Sequence, residues 1–273
     1  MPRIGNSPLA FPDFRGATRR LVLINLVAYF ALAIAGLLAP EATGHVLSRL
    51  VFIPSTFLHG QLWQPLTYSL VHPTSMVVAT FFELLSLYFL AGFLEPFHGD
   101  SWLTGLFIVS VLGTTVAALA LYAGGAAIGH PVDQIPLYGC FGSIFGMLVV
   151  IGVLYGDMEF LMFFLFSIKA RYMAIIYGLV ALAYLFGEQR IYAFAQLGGA
   201  LAGWLYVRLL PRRGFNFLFS EQFYGLRNRY YRWKRRRAAR KFEVYMRSQG
   251  RTVRFDGQGR QIDEDHDDKT RWN

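Results

Sequence analysis

The sequence predicts an all-α, polytopic membrane protein with six transmembrane helices and a basic cytoplasmic helix near its C-terminus. Hydrophobic residues make up 55% of the 273 positions, and the mean hydropathy is +0.38. These residues gather in blocks of about 20, the length that a helix needs to cross a hydrocarbon core of about 30 Å. A soluble domain would not concentrate them in this way.

The apolar blocks define the predicted helices in order. The first follows Arg19 and Arg20 and could pass for a secretory leader, but it is longer than most signal cores and more spans follow, so we interpret it as a transmembrane helix. Pro or Gly marks most of the predicted ends, as is typical of helix termini. The blocks cover residues 21–39, 76–94, 102–123, 139–156, 170–187 and 191–210.

The positions of Lys and Arg orient the predicted bundle. One side would hold the N-terminal arm, the 157–171 loop and the tail, whereas the other side has only Arg49 and Arg190. Because positive residues favour the cytoplasmic side, both termini are predicted to be cytoplasmic. The sequence shows no organelle signal, and we therefore expect the protein in a bacterial inner membrane. The predicted segments are a cytoplasmic arm (1–20), a membrane domain (21–211) and a cytoplasmic tail (212–273).

The tail is basic and then acidic. Residues 208–254 hold fifteen Lys and Arg against two Glu, and 221–247 interleave them with aromatic residues in a predicted helix. Such clusters attract anionic headgroups by about 1 kcal/mol per charge, so membrane lipids are expected partners. Basic and aromatic residues also stack on RNA, but the chain has no nucleic-acid motif, and we do not expect that partner. Residues 257–273 are predicted to be disordered.

The long connection at residues 41–75 mixes apolar stretches with Pro, His and Gly, and is too interrupted to cross the membrane. Its aromatic residues suit a segment that lies in the outer membrane interface. An ordinary loop with a few anchoring aromatic residues fits the pattern equally well. The aromatic residues are Phe52, Phe57, Trp63 and Tyr68.

Metal and cofactor sites are not expected from the composition. Cys140 is the single cysteine, which excludes an intrachain disulfide and a cysteine-rich metal site. The six His are scattered and form no pair with metal-ligand spacing. We therefore predict no metal and no small-molecule cofactor.

Two strings of small residues mark the predicted fourth and sixth helices, at positions 139–146 and 195–203. Small residues four positions apart let two helix backbones approach closely in lipid, where no hydrophobic effect presses helices together. Taken alone, these strings predict helix packing rather than chemistry. The packing residues are Gly142 and Gly146 in the first string, and Gly199 and Gly203 in the second.

Residues 20–211 resemble the rhomboid family of intramembrane serine proteases. The strings are similar to the Gly-x-Ser-Gly and Ala-His-x-x-Gly signatures of that family. The other matching features, in chain order, are the first-loop segment 60–67, the end of the second helix at 87–95 with Gly92 and Glu95, and Gly99.

The resemblance implies a Ser nucleophile on helix four that a His on helix six activates as its base. Phe141 and Gln196 occupy these two positions, and neither side chain can perform its step. Ala79 and Glu83 stand where the family has a His and an Asn that stabilise an oxyanion, and a carboxylate would repel that charge. We therefore expect a pseudoprotease without enzymatic activity.

Two alternatives remain open. An active protease with a displaced site would use Ser143 or Cys140 as nucleophile, although each residue on a helix turns the side chain by about 100° away from the direction of Phe141. His72 and His130 are the candidate bases, because both precede helices on the outer side. The second alternative is a membrane anchor that acts through its basic tail.

Glu83 is the residue of greatest interest, because an ionisable group inside a span is a functional-site hypothesis by default. We hypothesise that it shares a polar pocket with Gln196 beneath Phe141. A water-filled cavity of the outer leaflet, without a specific partner, would accommodate it equally well.

The resemblance also implies a function. A pseudoprotease would bind transmembrane segments of client proteins for sorting, quality control or assembly. Clients would enter laterally between helices two and five, through a gate of bulky residues that lipid contact explains equally well. The gate residues are Phe81, Phe82, Leu85, Tyr177 and Tyr184.

Overall fold

The structure, a computed structural model, describes residues 12–129, 136–162, 166–186 and 190–209, together with isolated residues between 230 and 262. The chain divides into two compact units, Met1–Phe215 and Asn216–Asn273.

The first unit is a helical bundle. Its helices are α1 (Gly16–Leu38), α2 (Pro40–Leu50), α3 (Pro54–Leu58), α4 (Gln64–Thr67), α5 (Val77–His98), α6 (Asp100–Ala127), α7 (Phe141–Leu154), α8 (Ala170–Tyr184) and α9 (Arg190–Leu209). A 3-10 turn follows α4 at Tyr68–Leu70, and two strands, β1 (Glu159–Met162) and β2 (Phe166–Lys169), separate α7 from α8.

Each of the six predicted apolar blocks forms a helix, namely α1, α5, α6, α7, α8 and α9. Within the described residues, α1, α5 and α6 are long and apolar enough to cross a membrane, which agrees with an integral membrane protein. The helices α7 and α8 are apolar but shorter, with 14 and 15 residues. The six-span count is therefore not confirmed by helix length and composition.

The core of the bundle lies where α6, α7 and α9 pack against one another. Around it, α5 packs against α1, α6 and α7, whereas α8 packs against α7 and α9. Only Ala170 and Ala181 of α8 are buried, so most of this helix is exposed on the bundle surface.

A carboxylate on α5 caps the beginning of α1. The Glu95 oxygens accept hydrogen bonds from the backbone N–H groups of Ala17, at 2.7 Å, and Thr18, at 3.0 Å. These are among the donors that an α-helix leaves unpaired in its first turn, and the negative charge also suits the helix dipole. Two further contacts join the same region: the Tyr88 hydroxyl donates to the Pro12 carbonyl, and Arg20 pairs with Asp100 at 2.6 Å.

The segment 41–75 packs against the bundle, and two of its four aromatic residues are buried. Trp63 is half exposed, but Phe52 and Tyr68 are buried in the core. The backbone of Phe52 exchanges two hydrogen bonds with that of Leu137, which precedes α7. The segment therefore folds against the bundle, and the rings of Phe52 and Tyr68 pack in its core. Its predicted position in the membrane interface stays a prediction.

Two parts of the chain form strands that an all-α prediction omits. The loop at 157–171 contains the antiparallel hairpin β1–β2, in which Glu159 lies opposite Lys169, and its aromatic and β-branched residues favour this state. In the second unit, β3 (Arg254–Phe255) pairs with β4 (Gln261–Ile262), which lies in the segment predicted to be disordered. Described residues of the predicted basic helix, including Tyr230 and Trp233, are helical; most of the tail lies outside the described residues.

We predict that Glu95→Ala destabilises the protein by about 1–2 kcal/mol, because two N–H groups at the start of α1 lose their acceptors. Glu95→Gln should lose less, since its amide oxygen still accepts. Thermal unfolding of the purified protein in detergent measures the effect. Glu159→Ala is the matched control, because the Glu159 side chain is exposed on β1. Equal unfolding temperatures for Glu95→Ala and the control would contradict the cap.

Candidate functional site

The candidate site lies at the beginning of α7. This helix has 14 residues and rises about 21 Å, less than a hydrocarbon core of about 30 Å. Gly139 precedes it with φ +78° and donates its N–H to the carbonyls of Tyr68 and Val71. The segment that contains the 3-10 turn therefore holds the chain that leads into α7.

Phe141 and Gln196 line one small cavity, so α7 and α9 bring together the two positions that the resemblance assigns to the nucleophile and its base. The cavity has a volume of about 10 Å³, enough for about one water molecule. A peptide segment has no room there in this conformation. The other lining residues are Tyr68, Thr114, Leu137, Tyr138, Gly139, Gly142, Tyr192 and Ala195.

Tyrosine hydroxyls close the cavity. Tyr192 donates to the carbonyl of Tyr138, and the two rings are 5.5 Å apart. Tyr68 donates to the Val111 carbonyl at 2.9 Å, and burial raises the pKa of its phenol. Both hydroxyls are thus engaged with backbone carbonyls, and at neutral pH Tyr68 is a hydrogen-bond donor rather than a base.

The four packing glycines meet at the contact between α7 and α9. A Cβ at Gly199 would lie 2.6 Å from the carbonyl oxygen of Gly142, and a Cβ at Gly203 would lie 2.8 Å from the Cα of Gly146. Real Cβ atoms do not approach so closely, so any side chain at these positions would force the helices apart. The spacing of small residues identified this contact correctly.

A third helix shares this contact, which the sequence did not indicate. Ser110 and Thr114 of α6 are buried, and a Cβ at Gly142 or at Gly146 would collide with their hydroxyls. Gly113 also approaches the backbone of Gly198 closely. The four-residue spacing of Ser110 and Thr114 is the signal that could have found this face of α6.

Glu83 is 3% exposed and lies beside the start of α7 rather than in the cavity. Its Oε1 accepts the backbone N–H of Cys140 at 2.5 Å, and its Oε2 lies 3.5 Å from Nε2 of His72. A Cβ at Gly139 would lie 2.6 Å from Oε1, so the loop closes tightly over the carboxylate. The structure gives Glu83 these partners and not Gln196, the partner hypothesised from the sequence.

His72, Glu83 and Cys140 form a buried cluster that sequence reasoning missed. One ligand atom from each residue lies within 4.8 Å of the other two. Burial lowers the pKa of the His72 imidazole. No sequence spacing predicts that the three residues meet, because they lie in segments far apart in the chain. From the sequence, His72 is only a candidate base.

The remaining candidates are scattered. Ala79 is exposed and is not part of the cavity lining. Ser143 is fully buried and its hydroxyl donates to the Cys140 carbonyl at 2.7 Å, while Cys140 is 1% exposed. Neither lines the cavity. His130 and most of the basic tail lie outside the described residues.

The proposed gate residues lie on faces of α5 and α8 that are open. Phe81 and Phe82 on α5 are exposed, as are Tyr177 and Tyr184 on α8, whereas Leu85 is partly buried. This is an apolar surface that lipid or another apolar helix would cover.

Comparison with known proteins identifies relatives. Residues 20–224 match the family described as "Eukaryotic integral membrane protein (DUF1751)". The chain is 30% identical over 193 residues to Rhomboid-like protein 19 of Arabidopsis thaliana, a match that covers 65% of this chain and 60% of the relative. The match thus spans less than two thirds of that protein. Because the matched family is described as eukaryotic, this match argues against the bacterial inner membrane expected from the sequence.

We predict that Gly203→Ala destabilises the protein by about 1–3 kcal/mol, because its Cβ would collide with the backbone of Gly146. Gly178→Ala is the matched control. It lies in the interior of α8 with no atom within 4 Å of the added Cβ, so it should stabilise by about 0.5–1 kcal/mol. Thermal unfolding in detergent measures both. If Gly203→Ala unfolds at or above the temperature of Gly178→Ala, the close contact is refuted.

Proposed function

Because the chain belongs to the eukaryotic integral membrane protein family DUF1751 and is rhomboid-like, we propose that it is a catalytically inactive member that binds transmembrane client segments. Such binding would serve sorting, quality control or assembly of membrane proteins. The mechanism would be recognition of a client helix in the membrane, without cleavage.

The observation that carries this proposal is the chemistry at the cavity. The positions that would hold a nucleophile and its base are Phe141 and Gln196, and both face the same cavity. A phenyl ring has no nucleophilic atom, and a carboxamide is not a base at neutral pH. The cavity also lacks room for a scissile peptide. A protein that lacks a nucleophile and a base can still bind a transmembrane client segment.

Exposed apolar faces on α5 and α8 support the binding role. Both helices pack against α7, and each has exposed aromatic residues. An apolar client helix would replace lipid there, and packing with aromatic side chains would provide the contact.

An active protease with a displaced site is the second candidate, and one observation favours it. Cys140, His72 and Glu83 lie together, and a thiol, an imidazole and a carboxylate are the parts of a nucleophile, a base and an orienting group. However, Cys140 is fully buried and does not line the cavity, so a substrate carbonyl has no path to its sulfur in this conformation. Ser143 is buried in the same way.

We infer six spans with both termini cytoplasmic, from the six apolar helices and the placement of Lys and Arg. The short helices α7 and α8 would cross with the help of adjoining segments and local bilayer thinning. In this arrangement the basic tail faces an anionic leaflet and contacts its headgroups.

Glycosylation mapping in microsomes tests this topology. An acceptor sequence inserted within residues 128–136 should be modified, because that loop would face the lumen, whereas one inserted after residue 249 should not be modified. Modification of the second site would place the tail on the opposite side and refute the inferred orientation.

Client binding is tested by cross-linking in cells. A photoreactive residue at Phe141, and another at Phe81 on the gate, should capture transmembrane proteins. The matched control is the same residue at Leu37, which is exposed on α1 away from α8. Recovery of the same proteins at all three positions, or of lipid alone, would refute a specific binding site.

Three further results separate the candidates. Labelling of Ser143 by a fluorophosphonate, or cleavage of a labile transmembrane substrate that Cys140→Ala abolishes, would establish the displaced protease instead. If deletion of residues 216–273 abolishes client capture while the bundle keeps its thermal stability, the anchor acting through the tail becomes the correct description. Capture without cleavage that survives this deletion supports the proposed pseudoprotease.

A further inference from the structure

We propose that His72, Glu83 and Cys140 bind one zinc ion beside the beginning of α7. The inference does not depend on client binding. It concerns a buried cluster that the degenerate dyad does not use, and it replaces the expectation from the sequence that the chain holds no metal.

The imidazole of His72 presents a free lone pair to the cluster. Its Nδ1 lies 3.3 Å from the backbone carbonyl oxygen of Leu70, which can only accept, so Nδ1 carries the proton. The other nitrogen, Nε2, is buried, has no hydrogen-bond partner among the residues that the structure describes, and lies 3.5 Å from Oε2 of Glu83. A metal-binding His typically donates its other N–H to a backbone carbonyl in this way.

Two acceptors therefore face each other in a buried place. The Nε2 lone pair and the Glu83 carboxylate would repel each other unless a cation or a shared proton lies between them. The carboxylate itself is oriented by the Cys140 N–H, which donates to Oε1, and it also accepts from the Phe141 N–H and from the Cys140 thiol, whose proton a metal would replace. Such outer contacts are typical of metal sites, where they hold each ligand in place.

The donor set selects the metal. Imidazole nitrogen, thiolate sulfur and carboxylate oxygen together suit zinc, whereas magnesium and calcium prefer oxygen alone. Zinc bond lengths of about 2.0–2.3 Å place tetrahedral ligand atoms about 3.3–3.8 Å apart. The three ligand atoms already lie within 4.8 Å of one another, and the pair Nε2–Oε2 is within the required range at 3.5 Å. Three protein ligands leave one position of the metal open.

Charge and burial also favour a dication. Glu83 belongs to α5, a helix that is long and apolar enough to cross a membrane, where an uncompensated charge is strongly unfavourable. A carboxylate, a thiolate and a neutral imidazole with Zn²⁺ have a formal charge of zero. The ion would tie together the segment before α5, α5 itself and the start of α7, next to Phe141.

The metal content of the full-length protein tests the proposal. The protein is purified in detergent through a tag without histidine, and its zinc is measured by mass spectrometry after gel filtration. We expect about one zinc per chain, and at least a tenfold weaker affinity in Cys140→Ser and in His72→Gln. His45→Ala is the matched control, because His45 is exposed on α2, and it should keep the wild-type content. Equal zinc in the wild type and in a His72→Gln/Cys140→Ser double variant would show adventitious binding and refute the site.

Measurements on the wild type decide the question even if the variants fail to fold. Replacement of zinc by Co²⁺ should produce a thiolate-to-cobalt charge-transfer band, since Cys140 is the sole cysteine of the chain. A chelator should lower the unfolding temperature, and added zinc should restore it. The proposal is refuted if the wild-type protein contains no zinc and its unfolding temperature is unchanged by the chelator and by added zinc. In that case His72 and Glu83 share a proton instead.

Discussion

The bundle depends on close van der Waals contact between α6, α7 and α9. Lipid tails are as apolar as the helices, so no hydrophobic effect presses these elements together within the membrane. Attraction then requires backbones at contact distance, which only the smallest residues allow. Gly142 and Gly146 meet Gly199 and Gly203, and the hydroxyls of Ser110 and Thr114 fill the space on the third side. The cavity exists where this contact opens at the start of α7.

Carboxylates on α5 connect this helix to α1 and to the start of α7, outside the contact that the glycines form. Glu95 of α5 supplies the acceptors for the first turn of α1, and Glu83 of the same helix accepts the N–H that begins α7. In both places a carboxylate satisfies backbone donors that a helix end leaves unpaired, a need that is acute where water is scarce. Charges inside this domain therefore connect separate elements through helix ends.

The proposed function follows from keeping this framework and changing its reactive positions. Packing glycines and capping carboxylates hold α7 and α9 together, whatever side chain points into the cavity between them. Phe141 and Gln196 are compatible with that framework, because an aromatic ring and an amide fill space without distorting either helix. A protein of this kind can present an apolar surface to a client helix while lacking a nucleophile and a base.

The sequence by itself determined the helices and the main helix contact, because apolar length and small-residue spacing are local patterns that membrane physics makes decisive. The resemblance, which rests on motifs within single helices, predicted Phe141 and Gln196 as the two dyad positions, and this assignment stays a prediction. The burial of Phe52 and the meeting of His72, Glu83 and Cys140 were decided by tertiary structure alone. Those features join segments far apart in the chain, and no local spacing records which distant backbone or side chain will satisfy a buried polar group.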